Sequence, residues 1–392
     1  MEKARIGIIG LGNQGSMYLK KLFNKGKIPN GEVTAVCDIN PDKIKALEGE
    51  LHGAKAFADY KDLLASGLTD GVIVAVPHYQ HPEISIAAME AGINVLCEKP
   101  AGVYTKQVKE MNAAAAKSDK LFAIMFNQRT NCVYRKMREM IACGAIGNIK
   151  RVNWIITNWY RSQSYYDSSS WRATWKGEGG GVLLNQCPHQ LDLLQWVLGM
   201  MPRRIRSFCH FGKWHDIEVE EDDVTAYLEY DNGATGVFVT STADTPGTNR
   251  LEVTGDGGKL VCESDELTYY RLEENERVFN ASYTGGFGEP KCRVSKPETD
   301  GKNPQHAGII ENFAAAILGK EKLFVDGREG FNGVEIMNAM LLSAFLDKTV
   351  ELPVDDELYL AELNKRAANG REKHVRERVL GTEKSVADGR KL

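Results

Sequence analysis

The chain has 392 residues, 43% hydrophobic and 26% charged, with a formal net charge of -4. That length favours two domains over one, and the weak negative charge supplies no basic field for nucleic acid or an anionic membrane. No apolar run approaches the roughly 20 residues needed to span a bilayer, and Met1-Glu2-Lys3 leads straight into a strand with no apolar signal region. The cysteines, Cys37, Cys97, Cys132, Cys143, Cys187, Cys209, Cys262 and Cys292, contain no C-x-x-C pair. They read as reduced thiols of a cytoplasmic protein rather than as disulfides or a zinc framework.

The first third alternates apolar strands with helices. Strand-like runs are Ala4–Ile9, Val33–Cys37, Gly71–Val76, Asn94–Cys97 and Leu121–Phe126, with helical stretches at Gln14–Asn24, Asp42–Glu50 and Pro82–Ala91 between them. Continuous apolar strands separated by helices predict a parallel sheet covered on both faces. Near residue 128 the pattern changes. A helix from Asn131 to Ala142 is followed by strand compositions at Val152–Trp159, Ile205–Phe211, Val224–Tyr230, Ala234–Ser241, Arg250–Thr254 and Lys259–Cys262. Asp231-Asn232-Gly233 is a hairpin signal, so this half predicts an α+β domain with a large, open, mostly antiparallel sheet. Helices are expected at Pro188–Leu198, His306–Leu318 and within 327–348. The expected division is 1–128, 129–368 and a charged tail, 369–392, which reads as solvated or as an arm on a neighbouring subunit.

Gly10-Leu11-Gly12-Asn13-Gln14-Gly15 fits G-x-G-x-x-G after an apolar strand and at the start of a helix. The first glycine permits the tight turn, the second the approach of a pyrophosphate, the third close packing of helix and strand. The helix N-terminus adds free N–H groups for phosphates. Asp38, ending the next strand, has the spacing of a carboxylate on an adenosine ribose and disfavours a 2′-phosphate. No Arg follows it immediately, so NAD is the expected cofactor. A rival reading makes Asp38 only a turn cap, and Lys43 remains available to a phosphate.

Further motifs coincide with this turn: Val74-Ala75-Val76-Pro77 with His81 beyond, Ala91-Gly92-Ile93-Asn94-Val95-Leu96-Cys97-Glu98-Lys99-Pro100, Ile146-Gly147-Asn148-Ile149, and Gly179-Gly180-Gly181-Val182-Leu183-Leu184-Asn185-Gln186-Cys187-Pro188-His189-Gln190-Leu191-Asp192. From about residue 4 to 350 the chain resembles the Gfo/Idh/MocA oxidoreductases. The resemblance implies an N-terminal Rossmann domain, a C-terminal domain whose open sheet makes homo-oligomer contacts (dimer or tetramer), and hydride transfer between a nicotinamide and a hydroxyl or carbonyl of a sugar or cyclitol. It makes Gly10, Gly12, Asn13, Gln14, Gly15, Asp38, Pro77, His81, Glu98 and Lys99 cofactor-binding, and Lys99 and His189 catalytic. An imidazole suits removal of a hydroxyl proton near neutrality, and an ammonium stabilises the developing alkoxide. The bland alternatives are a solvated loop lysine and a helix-start histidine.

The chain departs from the family where many members place Asp and it has Asn185. Base catalysis then rests on His189 assisted by Lys99, with Asn185 a substrate ligand. Asp192 lies on nearly the same helix face as His189 and reads as a substrate or imidazole partner, or equally as a first-turn acid. Trp154, Trp159, Tyr160, Trp171, Arg172 and Trp175 suit a glycoside, and core packing is their rival reading; Tyr160, Trp171, Arg172 and Arg129 are candidate substrate residues. His78 and His81 lack a third ligand, so no metal is expected. The run Glu218, Glu220, Glu221, Asp222, Asp223 reads as a solvated loop.

These residues point to an NAD-dependent oxidoreductase acting on a secondary hydroxyl of a sugar, glycoside or inositol, with C3 of a glucoside favoured by the Asn-Gln-Cys-Pro-His variant. One alternative is an NAD-assisted glycosidase, in which Tyr160 or Tyr165 removes the C2 proton. Another is a non-catalytic dinucleotide-binding regulator.

Overall fold

The computed structural model describes residues 2–217 and 221–370. Glu218, Glu220 and the tail beyond 370 lie outside the described residues. The chain divides into two compact units, Met1–Asn131 with Asn303–Glu335, and Cys132–Lys302 with Ile336–Leu392.

The first unit holds a six-stranded sheet: β1 (Ala4–Ile9), β2 (Gly31–Cys37), β3 (Lys55–Phe57), β4 (Gly71–Val74), β5 (Asn94–Cys97) and β6 (Phe122–Ile124), in the order β3-β2-β1-β4-β5-β6. Every pairing is parallel. All of β4 and all but the first residue of β5 are buried, because crossover helices cover both faces. Helix Gln305–Ile317 joins this unit through Ile310 and Phe313, both fully buried. The strand order reverses between β1 and β4, and ligands of such sheets bind outside the carboxyl ends of the strands at that switch point. The turns after β1, β2, β4, β5 and β6 therefore hold the motif residues: Gly10–Gly15, Asp38, Pro77, Glu98-Lys99-Pro100 and Asn127–Thr130.

The second unit holds nine strands: β7 (Ile149–Ile156), β8 (Arg204–Phe211), β9 (Glu221–Glu229), β10 (Thr235–Ser241), β11 (Asn249–Gly255), β12 (Gly258–Glu263), β13 (Glu266–Leu272), β14 (Cys292–Ser295) and β15 (Val350–Glu351), ordered β14-β13-β12-β11-β7-β10-β9-β8-β15. Only β7 with β10 is parallel among the described pairings. Alternation puts Val152, Trp154 and Ile156 of β7, Phe238 of β10 and Leu251 and Val253 of β11 on the buried face. Tyr134, on helix Cys132–Ala142, packs against Trp154 with ring centroids 6.1 Å apart. Ile155, Phe208, Tyr227 and Val237 occupy the opposite face and are exposed.

One expectation is corrected here. Glu221 and Asp222 are not in a solvated loop: they open β9 and are fully buried. Backbone donors explain this. Asp222 accepts from the N–H groups of Lys213, Trp214 and His215, and Glu221 from two N–H groups described below. Carboxylates enter a core when such bonds replace water.

Candidate active site

In the first unit the glycine turn has the shape the motif requires. Gly10 has φ +96°, and a Cβ there would lie 2.4 Å from the Ala75 carbonyl oxygen. A Cβ on Gly15 would lie 1.9 Å from the Gly10 carbonyl oxygen. At Gly12, by contrast, a Cβ would meet nothing within 4 Å. Packing therefore demands the first and third glycines, while the second faces open space, as a turn built for a pyrophosphate requires. Asn13 and Gln14 begin helix Asn13–Met17, whose N-cap Gly12 provides no side-chain cap, and a π-helical segment, Tyr18–Phe23, continues it.

Asp38 is buried. Its Oδ2 accepts from Leu11 N–H at 2.8 Å and from Lys43 Nζ at 3.2 Å, and its Oδ1 from Asn40 N–H at 2.9 Å. It caps its own turn and at the same time ties that turn to the glycine loop, so capping and ribose binding are not exclusive. Lys43 is its ion-pair partner.

Pro77 is exposed on the loop after β4, whereas His81 is fully buried. The two His81 ring nitrogens lie 2.7 Å from the Pro100 carbonyl oxygen and 2.8 Å from that of Val76. Burial, reinforced by the Lys99 charge, pushes His81 down to about 4. The ring thus clips the loop after β4 to the loop after β5. Glu98 is buried too, accepting from the Tyr18 hydroxyl and, at 3.1 Å, from the Lys99 backbone N–H. Burial raises the Glu98 carboxyl, with Lys99 and Tyr18 opposing. His306 packs against Tyr18, centroids 5.8 Å apart, and burial and Lys99 push it down to about 4. Arg129 is buried, ion-paired to Glu329 at 2.7 Å and stacked over Phe126. Both partners belong to the first unit, whereas the other candidate substrate residues belong to the second.

In the second unit, the triple glycine ends at Gly181, the N-cap of the short helix Val182–Asn185. A residue far along the chain supplies the cap: Glu221 Oε2 accepts from Gly181 N–H at 2.9 Å and Oε1 from Leu183 N–H at 3.0 Å. Burial pushes the Glu221 carboxyl up to about 7, against those two bonds. Pro188 then starts the next helix, Pro188–Leu198, at a position where its missing N–H costs nothing, and Gly199 ends it with φ +69°. His189 stands on its first turn and Asp192 on the next, so Asp192 is not a first-turn acid. Asp192 is fully buried, with Gln195 Nε2 donating to it at 3.1 Å.

Asn185 donates its amide to Glu178, which is buried and also accepts from Ala173 N–H at 2.8 Å. The Asn185 oxygen accepts from the Tyr165 hydroxyl at 3.3 Å. Tyr165 in turn accepts from Arg172 at 2.6 Å and from Gln186 at 3.2 Å. Arg172 lies 3.6 Å from Glu178 and its Cζ is 4.6 Å from the Trp171 ring. Burial raises the Tyr165 phenol above its usual value, with Arg172 opposing and Glu178 adding to it. Tyr160 is half exposed and gives its carbonyl to Arg161. Trp154 and Trp175 are buried core residues, Trp175 packing edge-on against Phe345 and tilted against Phe211. The structure thus joins Asn185, Arg172 and Trp171 in one polar and aromatic cluster. Glu178, Gln186 and Arg161 join that cluster in the second unit, and Tyr18 and His306 stand with Glu98 in the first; the sequence reading singled out none of these five as a site residue, and it took Glu221 for a loop acid. Glu178, set between Gly177 and the glycine triplet, carried the one local signal. Among the described residues no group of three or more His, Cys, Asp or Glu side chains could hold a metal ion, and no helix is long and apolar enough to cross a membrane.

Residues 4–126 match the oxidoreductase family described as an NAD-binding Rossmann fold, and residues 134–261 match the GFO/IDH/MocA C-terminal domain. The chain belongs to the Gfo/Idh/MocA oxidoreductase family. It is similar to the myo-inositol 2-dehydrogenase of Thermotoga maritima, 25% identical over 73% of this chain and 83% of that one. The D-glucoside 3-dehydrogenase of Escherichia coli is 26% identical over 82% of this chain and 90% of its own. Among solved structures, the WlbA dehydrogenase of Chromobacterium violaceum in complex with NADH and UDP-GlcNAcA superimposes with a TM-score of 0.77 at 27% identity, over 91% of this chain and 97% of that one. The protein is an NAD-binding oxidoreductase.

Proposed function

We propose that the protein oxidises a secondary hydroxyl of a sugar, glycoside or cyclitol, with C3 of a glucoside as the favoured position. The observation that carries this reading is the cluster at Asn185, where Tyr165, Gln186 and Arg172 surround an amide just ahead of His189. Hydroxyl-rich ligands need such alternating donors and acceptors, with aromatic faces for their C–H surfaces. The relatives act on or bind compounds of this class: an inositol, a glucoside and a nucleotide sugar.

In this reading a bound nicotinamide supplies the hydride acceptor. Gly10, Gly12, Asn13, Gln14 and Gly15 hold its pyrophosphate and Asp38 its adenosine ribose, with Pro77 and Glu98 beside it. His81 positions the loops around Lys99, since both ring nitrogens already face carbonyl oxygens. His189 takes the hydroxyl proton, and the Lys99 ammonium stabilises the alkoxide. Asn185, Asp192, Trp171, Tyr160 and Arg172 bind or orient the substrate. The glycosidase alternative needs a base at the C2 hydrogen, and a Tyr165 phenol raised by burial is poorly suited to that role. Ile155, Phe208, Tyr227 and Val237 support a homo-oligomer formed through the open sheet, which light scattering would test.

The test is mass spectrometry of products after mixing the protein and NAD with glycosides, uronides and inositols. Loss of two hydrogens matched by NADH supports the proposal; release of aglycone from an otherwise intact sugar, without NADH, refutes it.

A further inference from the structure

Two guanidinium groups pack on Tyr165: Cζ of Arg172 lies 4.5 Å and Cζ of Arg161 5.0 Å from the ring centroid. Their charges are handled differently. Arg172 lies beside the buried carboxylate of Glu178. Arg161 has no carboxylate at ion-pair distance among the described residues. Its Nη1 donates to the Tyr160 carbonyl at 3.0 Å, while Nε is buried with no acceptor.

The guanidinium also hydrogen-bonds the Tyr165 hydroxyl, and the open Nε belongs to the Nε–Nη2 edge, the fork with which arginine grips an oxyanion. Arg5 exhibits the same edge in use, donating from Nε and Nη2 to Asp70 Oδ1 at 3.1 and 2.6 Å. The indole N–H of Trp159, whose ring lies 5.8 Å from the Arg161 Cζ, is also buried without an acceptor. A buried donor lacking an acceptor is costly. The two neighbouring donors and the uncompensated charge call for the same complement, an oxygen-rich anion.

We infer that the substrate carries an oxyanion, a carboxylate or a phosphate ester, and that Arg161 is the residue that selects it. The inference rests on the sugar-oxidoreductase reading and narrows it to acidic sugars. A neutral pyranoside leaves the Arg161 charge uncompensated, whereas an acidic one makes two charge-assisted bonds beside the Tyr165–Asn185 cluster.

The test compares compounds differing at one carbon, such as methyl glucoside, methyl glucuronide and methyl glucoside 6-phosphate, together with neutral sugars, cyclitols and their acidic counterparts. The readout is kcat/KM for NADH formation. The acidic member of a pair is expected to exceed the neutral one by about tenfold or more, chiefly through KM. R161M should shrink that ratio to near one, with R161K intermediate, and the better of carboxylate and phosphate names the anion. Equal rates within pairs, or a ratio that survives R161M, would overturn the inference and leave the oxidoreductase reading intact. Turnover of no compound would defeat that reading and the inference with it.

Discussion

The side-chain amide of Asn185 donates to Glu178, and this contact sets a buried carboxylate against the position where the family pattern has aspartate. Because Glu178 accepts that amide and the Tyr165 hydroxyl faces its oxygen, the orientation of Asn185 is specified at both ends. Glu178 also compensates Arg172. The negative charge lost at residue 185 is thus held one contact away.

Glu178→Gln keeps the shape and removes the charge. The variant is expected to lose roughly 1–3 kcal/mol of stability, since a partly buried Arg172 loses its carboxylate. Its kcat/KM is expected to fall by about tenfold or more as Asn185 loses its fixed orientation. Thermal melts and steady-state kinetics check both; unchanged kinetics at an unchanged melting temperature would remove Glu178 from the account.

Gly12→Ala separates packing from cofactor binding. The space a Cβ would enter holds no protein atom within 4 Å, so the apo protein should melt within about a degree or two of wild type. The same methyl would stand where the pyrophosphate approaches, so NAD affinity should fall about tenfold or more. Calorimetric titration with NAD checks this; unchanged affinity would contradict the assignment of the glycine turn.

Asp38→Asn tests cofactor choice. The carboxylate repels a 2′-phosphate and engages Lys43. Neutralising it frees the ammonium, so the NADP/NAD ratio of kcat/KM should rise by about tenfold or more. An unchanged ratio would show that discrimination lies elsewhere.

Glu221 predicts a pH dependence of stability. Its carboxyl is raised from 4.5 to about 7 in the folded chain. The protonated form is therefore favoured on folding, and its contribution is fully present below about 4.5 and lost as pH rises through about 7. The loss is on the order of 3 kcal/mol at most. Melting temperatures of wild type and Glu221→Gln, measured from pH 5 to 8, should show a downward slope in wild type that the variant lacks. Parallel curves would contradict the assignment.

Much of this was legible in the sequence because local chemistry encodes it. The strand Ala4–Ile9, a continuous apolar run, and the helix Pro188–Leu198 are expected at the bounds observed. The glycine turn and Asp38 were legible because their spacing is itself the geometry. The other contacts depend on long-range pairing. Glu221 reaches Gly181 across 40 residues and Asp222 closes on the 213–215 turn, so a run of acids that reads as solvated enters the core as β9. Strands β13 and β14 carry charged and exposed residues at the sheet's edge and offered no apolar run to read. Arg161 and Arg172 look alike in sequence; only the fold gives one of them a carboxylate.

The measurement that tests the central claim most directly uses the substrate from the product screen, deuterated at the carbon it loses hydrogen from. The account predicts that the deuterium is recovered in NADH, mole for mole with ketone, and that His189→Ala lowers this rate by about a hundredfold or more. Deuterium retained at that carbon while aglycone is released, or an undiminished rate in His189→Ala, would contradict it.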